Sequence, residues 1–373
     1  MKVLHLFSNH KWTGPAEPAV NLCLALRARG IEAGFACSGD GPADNKVVAI
    51  ARDRGIEPIL AMYLRKHRHP VKNFADRRTL RTLLDAGGYD IVHCHLDNDH
   101  EIALGPCAKR GTPLVRSSYH GTGFPAKARF AHLLARTSRL IEPAERARNN
   151  DLKRFRFPAE HMHVVPGAVD TQRFDPAREV PDGRRWLNLP RDAFVLGIVA
   201  RMQSHRRYED LFTAFRRLAD THANAHLIVI GRGTDQERIA FEPVRRLGLE
   251  GRVHFTGYIS GDNYTGMLKA FDAGVFLVPG SDGTCRAVRE MMAMGKPMIA
   301  ANRGMLAEIV AHEENGLITD GTVNALHTGF VRLADDRTWR ASLGRAARHT
   351  AHTRYSLDAQ AEAVLKVYQG LGR

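Results

Sequence analysis

The sequence predicts an α/β protein made of two Rossmann-like domains. Three observations carry this. Short apolar runs alternate with stretches of helical period along the chain, the pattern of parallel strands covered by helices. The alternation is interrupted once, near residues 164–176, where VVPGAVDTQRFDP carries two prolines and a glycine. The length, 373 residues, exceeds one ordinary domain and fits two.

In the first half, the runs 3–7, 32–37, 90–93, 114–118 and 163–165 read as strands. In the second half, 195–200, 226–230, 253–255, 274–277 and 297–300 do the same. The stretch 19–28 puts Val20, Cys23 and Leu24 on one stripe and stops at Gly30, while 208–218 aligns Leu211, Phe212, Phe215 and Leu218. The predicted organisation is a first domain, 1–170, a second, 171–355, and a closing amphipathic helix, 356–373.

Hydrophobic residues make up 44% and charged residues 25% of the chain, which excludes disorder over most of it. No run of 18 apolar residues exists, so no spanning helix is expected. The start, MKVLHLFSNH, has too short an apolar stretch for a signal peptide and reads as the first strand. Cys23, Cys37, Cys94, Cys107 and Cys285 are scattered without a CxxC pair, so they read as small buried residues of a reducing cytoplasm.

Residues 281–310, SDGTCRAVREMMAMGKPMIAANRGMLAEIV, carry the most chemistry. A loop with Asp282 and Gly283 runs into a helical pattern, and Glu290 lies two turns along. Loop amides and a helix N-terminus favour an anion. A carboxylate in the loop can bond sugar hydroxyls, and one on the helix can bond a ribose diol. Two acids at this spacing also occur in ordinary solvated helices, so the surrounding residues decide. Those residues resemble the donor-binding signature of retaining glycosyltransferases of family 4. Glu290-Met-Met-Ala-Met-Gly295-Lys-Pro297-Met-Ile-Ala300 matches the family's Glu-x-Met-Ala-x-Gly-x-Pro run. Gly304, Glu308 and Ile309 fall where its Gly-Gly-x-x-Glu-Ile-Val element lies. The linker Val-Val-Pro-Gly-Ala-Val-Asp170-Thr-Gln-Arg-Phe174-x-Pro is similar to the family's own. The resemblance runs from residue 1 to the last helix. Asp282 stands for the family's first Glu, and Thr284-Cys285 for its Phe-Gly.

The resemblance implies the GT-B fold: two Rossmann-like domains whose sheets face across a cleft, the first receiving the acceptor and the second the nucleotide sugar, with the last helix returning to the first domain. It also implies the site. Arg201 matches an Arg that the family places on the donor diphosphate, and Arg206 stands where its Lys is expected. Fixed cations there stabilise a leaving group as it gains negative charge; no metal is then required, and none is assigned. Gly14, in the first turn, lets backbone approach a phosphate or sugar, although Pro15 replaces the family's second Gly and removes an N–H donor. Gly231, before Arg232 and Gly233, resembles the turn beside the diphosphate. Gly257 and Tyr258 resemble the pair that packs on the base, though a Tyr at a strand end serves packing as readily. His120 matches a strand-end His near the reacting carbon. Catalytic roles thus fall on His120, Asp282, Arg201 and Arg206, and donor binding on Gly14, Gly231, Gly257, Tyr258, Gly283, Thr284, Cys285 and Glu290. His93 reads as a satisfied core histidine, and His95, Asp97, Asp99 and His100 as a polar loop rather than metal ligands.

The formal charge is +14, and residues 1–170 hold 26 Lys and Arg against 17 Asp and Glu. Residues 63–81 hold seven basic residues and one acid, and residues 127–156 nine against three. In the latter, Leu133, Leu134 and Leu140 interleave with Arg136 and Arg139 as in a basic amphipathic helix. These stretches point to an anionic acceptor or to peripheral contact with an anionic membrane at its cytoplasmic face. Nucleic acid is not expected: aromatics are 7% and no helix-turn-helix or zinc-finger spacing occurs. The expected activity is retaining transfer from a nucleotide-diphosphate sugar, UDP- or GDP-linked, to a glycan or lipid-linked acceptor in cell-envelope polysaccharide or lipopolysaccharide synthesis. A GT-B sugar-nucleotide epimerase and a non-catalytic sugar-nucleotide-binding protein are the alternatives.

Overall fold

The computed structural model describes residues 1–42, 44–279 and 285–371, and the chain divides into two compact units. Met1–Gly167 with Leu357–Arg373 form the first, and Ala168–Ser356 the second. In the first, β1 (Lys2–Phe7), β2 (Glu32–Cys37), β3 (Ile91–Cys94), β4 (Leu114–Ser117), β5 (Arg139–Glu142) and β6 (Met162–Val164) build a parallel sheet in the order β2-β1-β3-β4-β5-β6. In the second, β7 (Phe194–Val199), β8 (Ala225–Ile230), β9 (Val253–Gly257), β10 (Ala273–Phe276), β11 (Met298–Ala301) and β12 (Gly316–Thr319) run β12-β11-β10-β7-β8-β9. The chain therefore changes direction between β1 and β3 in one sheet and between β7 and β10 in the other. The crevice beyond the carboxyl ends of such a pair is where open α/β sheets bind ligands.

The strands are buried on both faces, as parallel strands between helices must be. Val3 and Phe7 pack with the helix Ala16–Ala28, and Leu4 and Leu6 pack on the opposite face with the helices Pro70–Gly87 and Asp97–Arg110. In the second unit, the helix Tyr208–Thr221 buries Leu211, Phe212, Phe215 and Leu218 completely. The last helix, Leu357–Gln369, turns Ala361, Val364, Val367 and Tyr368 into the core of the first unit. No helix among the described residues is long and apolar enough to cross a membrane. All five cysteines are free and buried.

Two strands, β5 and β12, were not expected, and β5 corrects the reading of residues 127–156 as a basic amphipathic helix. That segment is a helix, Ala128–Leu134, then β5, then a helix, Glu145–Arg154. Leu140 and Ile141 point to opposite faces of the sheet and are both buried, which only a strand between β4 and β6 allows.

The core of the first sheet holds three fully buried histidines. His5 and His93 are register partners on β1 and β3, and His95 follows β3. Their rings stack with centroids 4.6–5.3 Å apart. His5 Nδ1 pairs with His95 Nε2 at 3.0 Å, and His95 Nδ1 with the Tyr119 hydroxyl at 2.7 Å. His93 pairs with the Tyr368 hydroxyl at 2.5 Å and with Ser117 Oγ at 2.8 Å. His93 is thus a satisfied core histidine, and its partner is carried by the last helix. Tyr368→Phe deletes this hydroxyl and leaves a buried imidazole nitrogen unpaired, so urea unfolding should show a loss of about 1–3 kcal/mol; an unchanged midpoint and slope would refute the role.

Burial holds these rings neutral. It pulls His5 down to about 3, with Arg27 adding to the effect, and sets His93 and His95 well below the ordinary value. In the unfolded chain a histidine takes up its proton near pH 6.5. The stability linked to a neutral His5 is therefore complete above pH 6.5 and lost as pH falls toward 3. Within that window one such group contributes a slope of about 1.4 kcal/mol per pH unit. His5→Asn should flatten the stability-versus-pH curve by about that amount between pH 6.5 and 4.5, and parallel curves would contradict it.

Candidate active site

At the carboxyl edge of the second sheet, three strand ends are laced through backbone. Ala200 N–H donates to Ile230 O at 3.0 Å, and Gly231 N–H donates to Gly257 O at 2.9 Å. Gly231, at φ +144°, lies so close to β7 that a Cβ would sit 2.2 Å from Ala200 O. A Cβ on Gly233 would sit 2.0 Å from Met202 O. The Gly-x-Gly turn therefore exists to let two backbones touch at the end of β7 and β8. Gly257 adopts φ +68°, but a Cβ there meets nothing within 4 Å. Tyr258 is 71% exposed, so it does not serve core packing, and the Arg232 guanidinium lies 5.5 Å over its ring.

Arg201 follows β7 and is exposed, whereas Arg206 is buried. Arg206 spans the β7/β10 switch point: its Nη1 donates to Val278 O at 2.6 Å, and its guanidinium lies 5.9 Å over Phe276 of β10. Asp282, Gly283 and Thr284 lie outside the described residues. Cys285 precedes the helix Arg286–Ala293, is buried, and has φ +49°. This left-handed conformation is the one a glycine adopts without strain.

Glu290 sits on the second turn of that helix and is 5% exposed. The Tyr264 hydroxyl donates to its Oε2 at 2.5 Å, and Arg286 Nε stands 3.3 Å from Oε1. Tyr264 belongs to the helix Gly261–Ala270 and packs edge-on against Phe174, 5.9 Å between centroids. Burial, and then Glu290, raises the Tyr264 phenol well above its ordinary value, so it remains a donor. The linker residue Phe174 thus backs the tyrosine that fixes Glu290.

On the first sheet, Gly14 lies half-buried in the turn closed by Ala16 N–H donating to Thr13 O at 2.9 Å, just before the helix Ala16–Ala28. His120 follows β4, half-buried, with its ring 5.2 Å from Phe124. Burial, helped by Arg116, lowers its proton affinity. Arg116 is itself buried and pairs with Asp97 at 3.0 Å. The 95–100 segment is not the expected polar loop: Asp97 and Asp99 open the helix Asp97–Arg110. Asp99 is buried and accepts the amides of Ser8 and Leu96 at 2.8 and 2.9 Å, tying the ends of β1 and β3 together. Burial pushes its carboxyl up to about 7 against the pull of Arg116. His100 pairs with Thr137 Oγ1 at 2.8 Å.

His5, His93 and His95 offer nitrogens within 4.8 Å of one another, the one such group among the described residues. His5 Nδ1 and His95 Nε2 are paired with each other, His95 Nδ1 with the Tyr119 hydroxyl, and both His93 nitrogens with the hydroxyls of Tyr368 and Ser117. The set is built as a hydrogen-bonded stack, not as a tetrahedral cage.

Sequence reasoning missed Tyr264 and Arg232. Arg232 had a local signal, a cation between two close-approach glycines. Tyr264 had none, because it meets Glu290 only in the fold.

Residues 14–173, almost all in the first unit, match the family "Glycosyltransferase Family 4", and residues 181–350 of the second match "Glycosyl transferases group 1". The chain belongs to these glycosyltransferases. Its fold is GT-B. A D-inositol 3-phosphate glycosyltransferase of Salinispora arenicola is 27% identical over 312 residues, covering 76% of this chain and 69% of that one. The lipopolysaccharide core biosynthesis glycosyltransferase LpsD of Rhizobium meliloti is 31% identical over 198 residues, 52% of this chain and 55% of its own. The crystal structure of Anabaena HepE in complex with UDP superposes with a TM-score of 0.80 at 19% identity, covering 99% of this chain and 100% of that one.

The glycines of the glycosyltransferase separate two causes of strain. Gly231→Ala faces both a positive φ and a backbone oxygen, and should destabilise by more than about 3 kcal/mol. Gly257→Ala faces only its φ and should lose about 1–2 kcal/mol. Equal losses in urea unfolding would overturn the close-packing account.

Proposed function

We propose that this glycosyltransferase moves a sugar from a nucleotide-diphosphate sugar to a glycan or lipid-linked acceptor, with retention at the anomeric carbon. The carrying observation is the β7/β10 switch point, where buried Arg206 bridges to Val278, beside the close-packed Gly231 turn. The donor diphosphate rests on Arg201, Arg206 and the Gly231 turn, and the base lies by Gly257 and Tyr258. Glu290, held by Tyr264, accepts the ribose hydroxyls. Asp282 bonds the sugar hydroxyls, with Gly283, Thr284 and Cys285 lining that pocket. The Anabaena structure with UDP supports a uridine or similar nucleotide donor.

In the reaction, the acceptor hydroxyl attacks the anomeric carbon from the face that the diphosphate leaves. The bond from that carbon to phosphate oxygen breaks as the new glycosidic bond forms, and the hydroxyl proton passes to the departing phosphate. Negative charge grows on the leaving diphosphate, where the two guanidiniums supply the compensating charge; this reading assigns no metal ion. His120, kept neutral by burial, orients the reacting hydroxyls as a hydrogen-bond partner, and Gly14 admits the substrate close to the backbone. Similarity to LpsD supports a place in cell-envelope polysaccharide or lipopolysaccharide synthesis.

A thermal-shift screen against UDP-, GDP- and ADP-sugars identifies the donor, because a bound ligand raises stability by mass action. With that donor, Glu290→Ala and Arg206→Ala should each slow acceptor-dependent release of the nucleoside diphosphate by roughly 10²-fold or more. Near-wild-type release in both removes the assignment.

A further inference from the structure

The basic stretches 63–81 and 127–156 are separate in sequence but meet in the first unit. They border a cavity of about 630 Å³ among the helices Pro70–Gly87, Asp97–Arg110 and Ala128–Leu134. Its volume is that of a small-molecule site, about 300–1,000 Å³. Arg68 and Arg77 enter from one stretch, and Arg129, His132 and Arg136 from the other. Glu101 stands among them, 3.0 Å from Arg68 Nε, 3.2 Å from Arg129 Nη2 and 3.9 Å from Arg77 Nη2. Among the described residues, Arg136 forms no ion pair. Three guanidiniums thus share one carboxylate, and a fourth lines the same cavity.

Glu101 is largely covered, but its three guanidiniums keep about a third or more of their side chains exposed, and pairs to such solvated cations contribute little to stability, so stability does not account for this excess of arginine. Glu101 instead draws three guanidiniums to one point, and clustered forks of this kind match the oxygens of a phosphate. Apolar Leu104 and Leu133 complete the wall for whatever carries it. We propose that this cavity binds a phosphate ester. That the ester belongs to the acceptor rests on the reading of the first unit as the acceptor side; the binding itself does not. Two sources share this chemistry, a soluble sugar phosphate and a phospholipid headgroup. Val71 and Phe74, exposed about two turns and one turn before Arg77 on the same helix, offer apolar contact to the second.

Gly105 lines the cavity, and a Cβ there would meet nothing within 4 Å. Gly105→Leu therefore fills the cavity while strengthening the helix. Binding of glucose 1-phosphate by calorimetry, and of phosphatidylglycerol against phosphatidylcholine vesicles by sedimentation, reads the two sources. The full chain should bind at least one, and Gly105→Leu and Arg129→Glu/Arg136→Glu, each checked for native circular dichroism, should weaken that binding tenfold or more. Loss of the sugar phosphate assigns a soluble source; loss of phosphatidylglycerol alone, with Phe74→Ser weakening it too, assigns a lipid. Wild-type affinity in either variant, or no binding of either probe by the unaltered chain, overturns the proposal. Glu290→Ala should keep this binding, which separates its failure from a failure of the transfer reading.

Discussion

The pairing of His93 with Tyr368 is the contact on which the first unit turns. A parallel sheet covered on both faces leaves no water for a polar side chain in its strands, so a buried imidazole is satisfied only by partners within the protein. His93 finds one on β4 and the other on a helix that begins more than 260 residues later. That requirement gives the final helix a specific seat rather than a merely greasy one. The same stack carries the constraint forward. His95 engages Tyr119, the neighbour of His120, and Asp99 pins the amides that follow β1 and β3. The edge that presents Gly14 and His120 is thus set from inside the sheet.

The second unit solves the corresponding problem with backbone. Gly231 and Gly233 remove side chains where β8 must touch Ala200 and Met202, and this contact aims the loop that bears Arg201 and Arg206. A separate chain of contacts, Phe174 to Tyr264 to Glu290, gives the linker a structural task beyond connection. A carboxylate two turns into a helix has many rotamers; a phenol at 2.5 Å and a guanidinium at 3.3 Å leave it few.

What could be read from the sequence followed the range of the interactions. Ten strands announced themselves as apolar runs, because two-sided burial writes itself locally. β5 did not, since Arg139 and Glu142 bracket two apolar residues and the flanking leucines mimic a helical stripe. β12, with the sequence GLIT, is too short to stand out. Glycine turns were legible because close approach excludes a Cβ at the residue itself. Asp99, by contrast, looks like one acid in a polar stretch, and its role depends on Ser8, 91 positions away. Likewise the four arginines that line the cavity, three of them on Glu101, are visible only as composition until helices bring them together.

The departures from the family pattern also acquire physical content. At 206 a lysine would place one compact charge. The arginine bonds Val278 O through one nitrogen and lies over Phe276, which fixes the direction of its planar fork. The substitution therefore exchanges mobility for a fixed direction. At 285 the family's glycine becomes a cysteine in the left-handed region, at a cost of about 1–2 kcal/mol, immediately before the helix Arg286–Ala293. Pro15 caps the start of the helix Ala16–Ala28 at φ −71°, where the missing N–H is one that the helix could not have used. Arg206 and Pro15 thus suit the local backbone, whereas Cys285 strains it; the three changes leave a directed cation, a thiol-bearing turn and one amide fewer.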